Sequence, residues 1–440
     1  MDNRRFLRAI KNCETIQRTG RVLQFYGLVL EASGPDVFLG EICEIYTPQA
    51  LKPVLAEVVG FRDGHVLMMP YGNLSGIHVG SEIVATGRAA SLRVGEHLLG
   101  RVVDAFGRPM DGKAFDSLGE EYPLYPEPIN PLDRQRITEQ FTTGIRSIDT
   151  MLSIGVGQRV GLFAGSGVGK STLLGQIAQA SNADVNVIAL IGERGREVLD
   201  FVVENLGDEG LKNSIIVVAG ADQPALVRVH AAYAATTVAE YFKNQGKKVF
   251  LAMDSITRFA MAQREIGLAI GEPPTARGYT PSAFAQIPKL VERAGNFRDS
   301  GSITAVYTVL VEGDDFNEPV SDTTRAILDG HIVLSRKIAT RGRYPAIDLL
   351  ESVSRLHRQI TTKENQTLVD RALKHLSLYN ESKDLIELGA YKEGSNRALD
   401  SAIAFYSEFE IAITQAAPEK NAEKVLQKWL RDNLRNDKES

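Results

Sequence analysis

Hydrophobic and polar positions change their spacing along the chain, and each change predicts a different kind of element. In residues 1–20 charged positions dominate, and Phe6, Leu7 and Ile10 fall at helical spacing among Arg4, Arg5, Arg8 and Lys11. From about residue 20 to 88 the apolar runs are short and punctuated by glycine, as in Arg21-Val22-Leu23, Gly27-Leu28-Val29-Leu30, and residues 56–61 and 65–69. Short strands with turn residues between them predict a small β-barrel. Prolines 123, 126, 128 and 131 mark residues 118–136 as an extended connector. From about 137 to 350 apolar strands alternate with helical stretches, most clearly at 185–191, 214–219, 249–253 and 302–310. That alternation predicts an α/β domain with a largely parallel sheet covered by helices. Beyond about 360, helical periodicity continues to the end. The expected division is therefore 1–20 as a partner-binding segment, 21–88 as barrel, 89–355 as nucleotide domain and 356–440 as a helical domain.

The chain has 440 residues, 43% hydrophobic and 24% charged, which is room for about three domains with large cores. A net charge of −5 argues against nucleic acid as the main partner. Cys13 and Cys43 are the only cysteines and have no metal-ligand spacing, which fits a reduced cytoplasmic setting. The seven histidines form no cluster, so neither structural zinc nor histidine catalysis is expected. No apolar run has the form of a secretory leader or the length of a membrane span.

The chemistry concentrates in residues 164–172, Ala-Gly-Ser-Gly-Val-Gly-Lys-Ser-Thr, which follow the apolar run 159–163 and precede a helical stretch. Gly165, Gly167 and Gly169 let the backbone wrap an anion, so that N–H groups along the loop, including those of Ser166 and Val168, point at phosphates. Lys170 supplies a mobile positive charge, Ser171 a hydroxyl for Mg²⁺, and Thr172 continues the positive end of the helix. The usual pattern opens with glycine where this chain has Ala164, a mild change where φ is negative.

Hydrolysis also needs groups at the ends of neighbouring strands. Asp254 ends the apolar run 248–253, either as support for Mg²⁺ or as the cap of the helix that follows. Glu193 ends the run 187–192, either to orient the attacking water or to pair with Arg194 or Arg196. The phosphate loop upstream favours metal support for Asp254, while for Glu193 spacing alone leaves the choice open.

Residues 345–354 (Pro-Ala-Ile-Asp-Leu-Leu-Glu-Ser-Val-Ser) and 192–197 (Gly-Glu-Arg-Gly-Arg-Glu) resemble the rotary ATP synthase α/β superfamily. Within it, stretches 162–172, 261–269 and 325–334 most resemble the flagellar protein-export ATPases and their type III secretion relatives, and the similarity covers nearly the whole chain. The resemblance implies an ATP hydrolase using ATP and Mg²⁺. Glu193 would be the catalytic glutamate, with Arg194 and Arg258 near the γ-phosphate and Asp254. Arg355 would be an arginine finger entering a neighbour's site. Tyr344 would stack on adenine and Tyr391 would close its other side. One chain carrying both Glu193 and Arg355 can complete every site in a head-to-tail ring, consistent with the homohexamers of that family. The implied partners are further copies of the chain, a stator-like regulator, a stalk-like export protein, cargo-loaded chaperones and a membrane export gate, with the ring peripheral to the inner membrane face. An ATP synthase subunit, an RNA translocase, an injectisome ATPase and a non-enzymatic assembly component are the other readings. The first RNA requirement, a basic barrel face interleaved with aromatics, is missing from residues 20–88.

The C-terminal stripe of Val425, Leu426, Trp429, Leu430 and Leu434 either packs on its own domain or docks export chaperones. The N-terminal stripe suits a partner's groove, with a frayed terminus as the bland alternative. Deleting residues 2–18 is expected to abolish capture of the regulator in a pull-down while ATP affinity is unchanged. Undiminished capture would show that the stripe is only a terminus.

Overall fold

The computed structural model describes residues 17–47, 52–115, 117, 119–311, 315, 316 and 318–434. The apolar stripe of Phe6, Leu7 and Ile10 lies outside the described residues. The first described strands are β1 (Thr19–Tyr26), β2 (Val29–Ser33), β3 (Glu41–Tyr46), β4 (Val54–Arg62), β5 (His65–Pro70) and β6 (Glu82–Ala89). They close into a barrel in the order β1-β2-β5-β4-β3-β6. Alternation explains the closure: Cys43 and Ile45 of β3 and Ile83 and Ala85 of β6 point inward with Val22, Leu30, Val58 and Met68. Closing the sheet removes its free edges.

After the barrel, β7 (Ser91–Val94) pairs with β9 (Glu120–Pro123), so part of the proline-rich connector is an antiparallel ribbon. Between them β8 (Arg101–Asp104) joins the large sheet beside β14, running parallel to it. Sequence reading did not find this strand, because four residues carry little periodicity and their partner lies more than a hundred positions away. Two short strands, β10 (Gln140–Phe141) and β11 (Ile154–Gly155), pair with each other.

The remaining strands are β12 (Arg159–Ala164), β13 (Val185–Glu193), β14 (Ser214–Gly220), β15 (Lys248–Asp254), β16 (Gly295–Asn296), β17 (Ser302–Leu310), β18 (Gly330–Leu334) and β19 (Ile347–Ser354). The sheet order is β19-β18-β12-β17-β15-β13-β14-β8, with β16 paired to β17. All are parallel except β16 and β19. All nine residues of β13 are buried, as expected for a strand covered on both faces. Alternate residues divide between two cores. Val187, Ala189 and Ile191 join the core beneath the alanine-rich helix Ala225–Asn244, while Ile188 and Leu190 join the core shared with the phosphate-loop helix and the C-terminal helices. Arg293, buried against Glu240 at 2.5 Å, donates to the Leu124 carbonyl at 2.8 Å and fastens the connector to the first core.

Helices Lys363–Glu387, Arg397–Ile413 and Ala422–Asn433 form the C-terminal module. Leu426, Leu430 and Leu434 are buried in the second core. Trp429 is half-buried, its ring 5.6 Å from Phe405 and 5.8 Å from Phe409. Val425, the remaining member of the predicted stripe, is exposed. The stripe therefore packs on its own domain. Trp429→Ala is expected to cost about 2 kcal/mol, less than a fully buried tryptophan because part of the ring already meets solvent. A lowered melting temperature in calorimetry, with Val425→Ala unchanged, is the expected outcome.

Candidate functional site

β12 runs through the interior of the sheet between β17 and β18, and the phosphate loop leaves its C-terminal end. Ala164 is the buried last residue of the strand, so the first position of the motif does not need glycine here. Gly167 and Gly169 have φ of +78° and +89°, which a side chain would strain. Val168 is buried and anchors the loop from below, while Ser166 is exposed. The helix Lys170–Ala180 begins directly at the lysine. Gly165 follows β12 directly, and half-buried Ser171 and exposed Thr172 are the second and third residues of the helix.

Lys170, Asp254 and Glu193 meet at the ends of three strands. The Lys170 Nζ lies 2.6 Å from Asp254 Oδ1 and 3.7 Å from Glu193 Oε1. Asp254 is buried and also accepts a hydrogen bond of 2.8 Å from the Thr308 hydroxyl on β17, the strand between β12 and β15. The alternative role for Asp254, capping the next helix, belongs to Ser255, whose hydroxyl accepts from the Arg258 amide at 3.2 Å. Asp254 is thus left facing the loop.

Glu193 is not neutralised by the arginines that follow it. Arg194 lies 3.9 Å from Glu197, and Arg196 lies 3.6 Å from Asp200, with both guanidinium groups largely in solvent. Burial pushes the Glu193 carboxyl up to about 7, helped by a hydrogen bond to Glu197 and by the charge of Asp254, while Lys170 pulls it down. The same hydrogen bond, foremost, holds Glu197 below its ordinary value, as expected if protonated Glu193 donates to the Glu197 carboxylate. Arg258 stands on the first turn of the helix Ile256–Ile270, its stem packed against Gly192 and its Nε buried without a hydrogen-bond partner among the described residues. Glu197 and Thr308 were not singled out from sequence. Glu197 lies four positions after Glu193, on the helix that follows the strand, close enough in the chain to be a local signal. Thr308 depends on strand order and gave none.

Tyr344 is partly exposed, and its ring lies 3.5 Å from where a side chain at Gly169 would begin. Its carbonyl accepts from the Gln415 amide at 2.8 Å, which ties it to the C-terminal module. Tyr391 is held in its own loop, its hydroxyl donating to the Asn396 carbonyl at 3.0 Å and to Asp400 at 2.8 Å. No hydrogen bond or ion pair joins it to the phosphate loop among the described residues.

Arg355 is at the other end of the sheet. β19 runs antiparallel to β18, from Ile347 beside Leu334 to Ser354 beside Gly330. The Arg355 amide donates to the Asp329 carbonyl at 3.1 Å, and the Asp329 amide in turn donates to Arg159 at the start of β12. The length of β12 separates Arg159 from the loop, about 16 Å at the usual strand rise. Arg355 therefore cannot serve the phosphate loop of its own chain.

Comparison with known proteins matches the chain domain by domain. The nucleotide-binding domain of the ATP synthase alpha/beta family matches residues 144–354, and the beta-barrel domain of that family matches 22–87. Residues 361–431 match the C-terminal domain of the T3SS EscN ATPase. The flagellum-specific ATP synthase of Bacillus subtilis is 50% identical over 420 residues, covering 95% of this chain and 96% of that protein. The assembled ATPase EscN from the type III secretion system of enteropathogenic E. coli superposes with a TM-score of 0.89 at 42% identity, over 94% of this chain and all of that one. EscN in complex with its central stalk EscO gives 0.85 at 41% identity, with the same coverage.

A water-orienting role for Glu193 predicts that Glu193→Gln keeps nucleotide binding and loses turnover about a hundredfold or more. Lys170→Ala should instead weaken binding. Glu193 must be ionised to accept a proton, so kcat/KM for ATP should climb as pH rises through about 7 and fall below it. Parental turnover in Glu193→Gln would remove the residue from the chemistry.

Proposed function

This chain belongs to the ATP synthase alpha/beta family, and from that membership we propose that it is the ring-forming ATPase of a flagellar protein-export apparatus. Type III secretion ATPases match at 46% identity over 88–91% of the chain and the Bacillus subtilis flagellar relative at 50% over 95%, a margin that supports the flagellar assignment. The observation that carries the ring is the separation of two functional ends within one chain. Lys170, Asp254 and Glu193 lie at one end of the sheet, and Arg355 lies at the other. Identical copies placed head to tail join the two ends, and such a contact repeats until it closes, here as a hexamer.

In this reading the glycine backbone of residues 165–169 cradles the β- and γ-phosphates of ATP, and Lys170 moves from its carboxylates to the phosphate oxygens. The oxygen donors of Ser171 and Asp254 suit a hard divalent ion, and Mg²⁺ held there would neutralise phosphate charge. Glu193, ionised, accepts a hydrogen bond from the attacking water and aligns it. Arg194 and Arg258 balance charge near the γ-phosphate, and Arg355 of the next copy stabilises the charge that develops in the transition state. Tyr344 stacks against adenine, with Tyr391 on the far side once its loop closes.

The coupled work is release of cargo from export chaperones and delivery of unfolded substrate to a membrane gate. A stator-like regulator at residues 1–20 and a stalk through the ring would serve the same cycle, the latter by analogy with the EscN complex. No helix among the described residues is long and apolar enough to cross a membrane, so the ring would reach the cytoplasmic membrane face through these partners.

Specific activity is expected to rise with protein concentration, because an arginine finger contributes about a thousandfold or more to turnover. Mixing inactive Lys170→Ala with inactive Arg355→Ala protein should restore activity at mixed interfaces. Activity flat on dilution, with no rescue, would count against the ring.

A further inference from the structure

A groove of about 650 Å³ opens at the end of the nucleotide sheet remote from the phosphate loop. Its walls include Arg134, Arg136 and Ile137 from the end of the connector, Arg159 from β12, and Leu356 and Gln359 just beyond β19. The groove begins where Arg355 ends: Leu356 is the next residue, and Asp329, which accepts from the Arg355 amide, is also part of the wall. Arg134 and Arg159 are engaged by Glu292 and Asp329. Arg136 and Arg355 are exposed and make no ion pair among the described residues.

At the other end of the sheet, residues 195–206 leave Glu193 as a helix, Gly195–Asp200, that continues as the π-helical turn Phe201–Leu206. Phe201 and Leu206 are buried and hold the segment down. Leu199 and Val203, four residues apart, are each 62% exposed, and Glu204 is exposed beside them. Leu199 and Val203 together leave a small apolar face in solvent that a packed contact would cover.

We propose that this face is covered by a second copy of the chain. Leu199 and Val203 of one copy enter the groove of the next, against Ile137 and Leu356, with Glu204 facing Arg136. The inference rests on the ring reading above and gives that contact its seat. Connectivity carries it. Arg355 reaches a neighbour's nucleotide only when its backbone comes within one side-chain length of the site. Leu356 and Gln359, one and four residues further on, must then lie against whatever borders Glu193, and residues 195–206 begin two positions past it. Charge agrees, because Arg136, which makes no ion pair among the described residues, meets exposed Glu204, and the apolar pair meets the apolar part of the groove.

Leu199→Asp, Val203→Asp and Arg136→Glu are each expected to raise the protein concentration of half-maximal ATPase activity about tenfold or more, the loss of one well-packed contact. A fluorescent ATP analogue should bind each dilute variant as it binds the parent. Adding Glu204→Arg to Arg136→Glu should recover much of the loss. A photo-crosslinking amino acid placed at position 199 should join residues 134–138 or 356–359 of another copy. Unchanged half-activation in all three variants, or crosslinks to another surface of a second copy, would overturn this seat and leave the ring standing. Parental activity that is flat on dilution, with no inter-chain crosslink, would overturn both.

Discussion

A lysine ammonium held between two buried carboxylates is the interaction on which the site depends. Asp254 and Glu193 end adjacent strands, β15 and β13, and each is buried. Left to themselves they would repel in a medium that screens poorly. Lys170, delivered by the turn that follows β12, meets both, and Thr308 on the intervening β17 satisfies Asp254 from below. The arrangement requires these strands to end at the same level, which a parallel sheet supplies. It also makes phosphate binding consequential. Under the proposed function, a Lys170 that turned toward phosphate would leave these carboxylates without their counter-charge.

Strand direction gives the molecule its polarity. The parallel strands gather their carboxylates and the phosphate loop at one end. β19, reversed, carries the chain back and leaves Arg355 at the other end. A chain built this way carries Lys170 and Arg355 at ends that it cannot bring together itself, so an interface that joined them would be heterologous.

The flanking parts are fastened close to this centre. The barrel residue Arg62, at the end of β4, donates to the Ile270 carbonyl at the C-terminal end of the helix whose first turn carries Arg258. On the other side, Arg146 pairs with Glu419 at 2.5 Å, and Gln415 donates to the Gly144 carbonyl at 2.7 Å. Because Gln415 also holds the Tyr344 carbonyl, a shift of the C-terminal module would move the tyrosine that borders the phosphate loop. The second core, shared by the nucleotide domain and the C-terminal helices, gives that shift an apolar surface to act through.

Features set by local physics were legible in the residues themselves. Positive-φ glycines, a lysine at a helix start, period-two alternation around a barrel and long apolar strands each follow from a few neighbouring positions, and the resemblance to export ATPases rested on such short stretches. Features set by pairing across the chain were not legible. Spacing could not say whether Asp254 would cap a helix or face a lysine, because Ser255 is an equally good cap and the choice depends on Lys170, 84 positions away. It could not show that Glu193 would escape Arg194 and Arg196, since those side chains find Glu197 and Asp200 on their own helix. It missed β8, whose place at the sheet edge is fixed by β14, and it could not separate exposed Val425 from packed Trp429 within one stripe. The sequence by itself determined which chemical groups the protein owns and the elements that carry them, because those are properties of short segments. Tertiary structure alone decided which charges meet and that Arg355 faces away from its own site, because strand order and direction are settled only when distant segments bury one another.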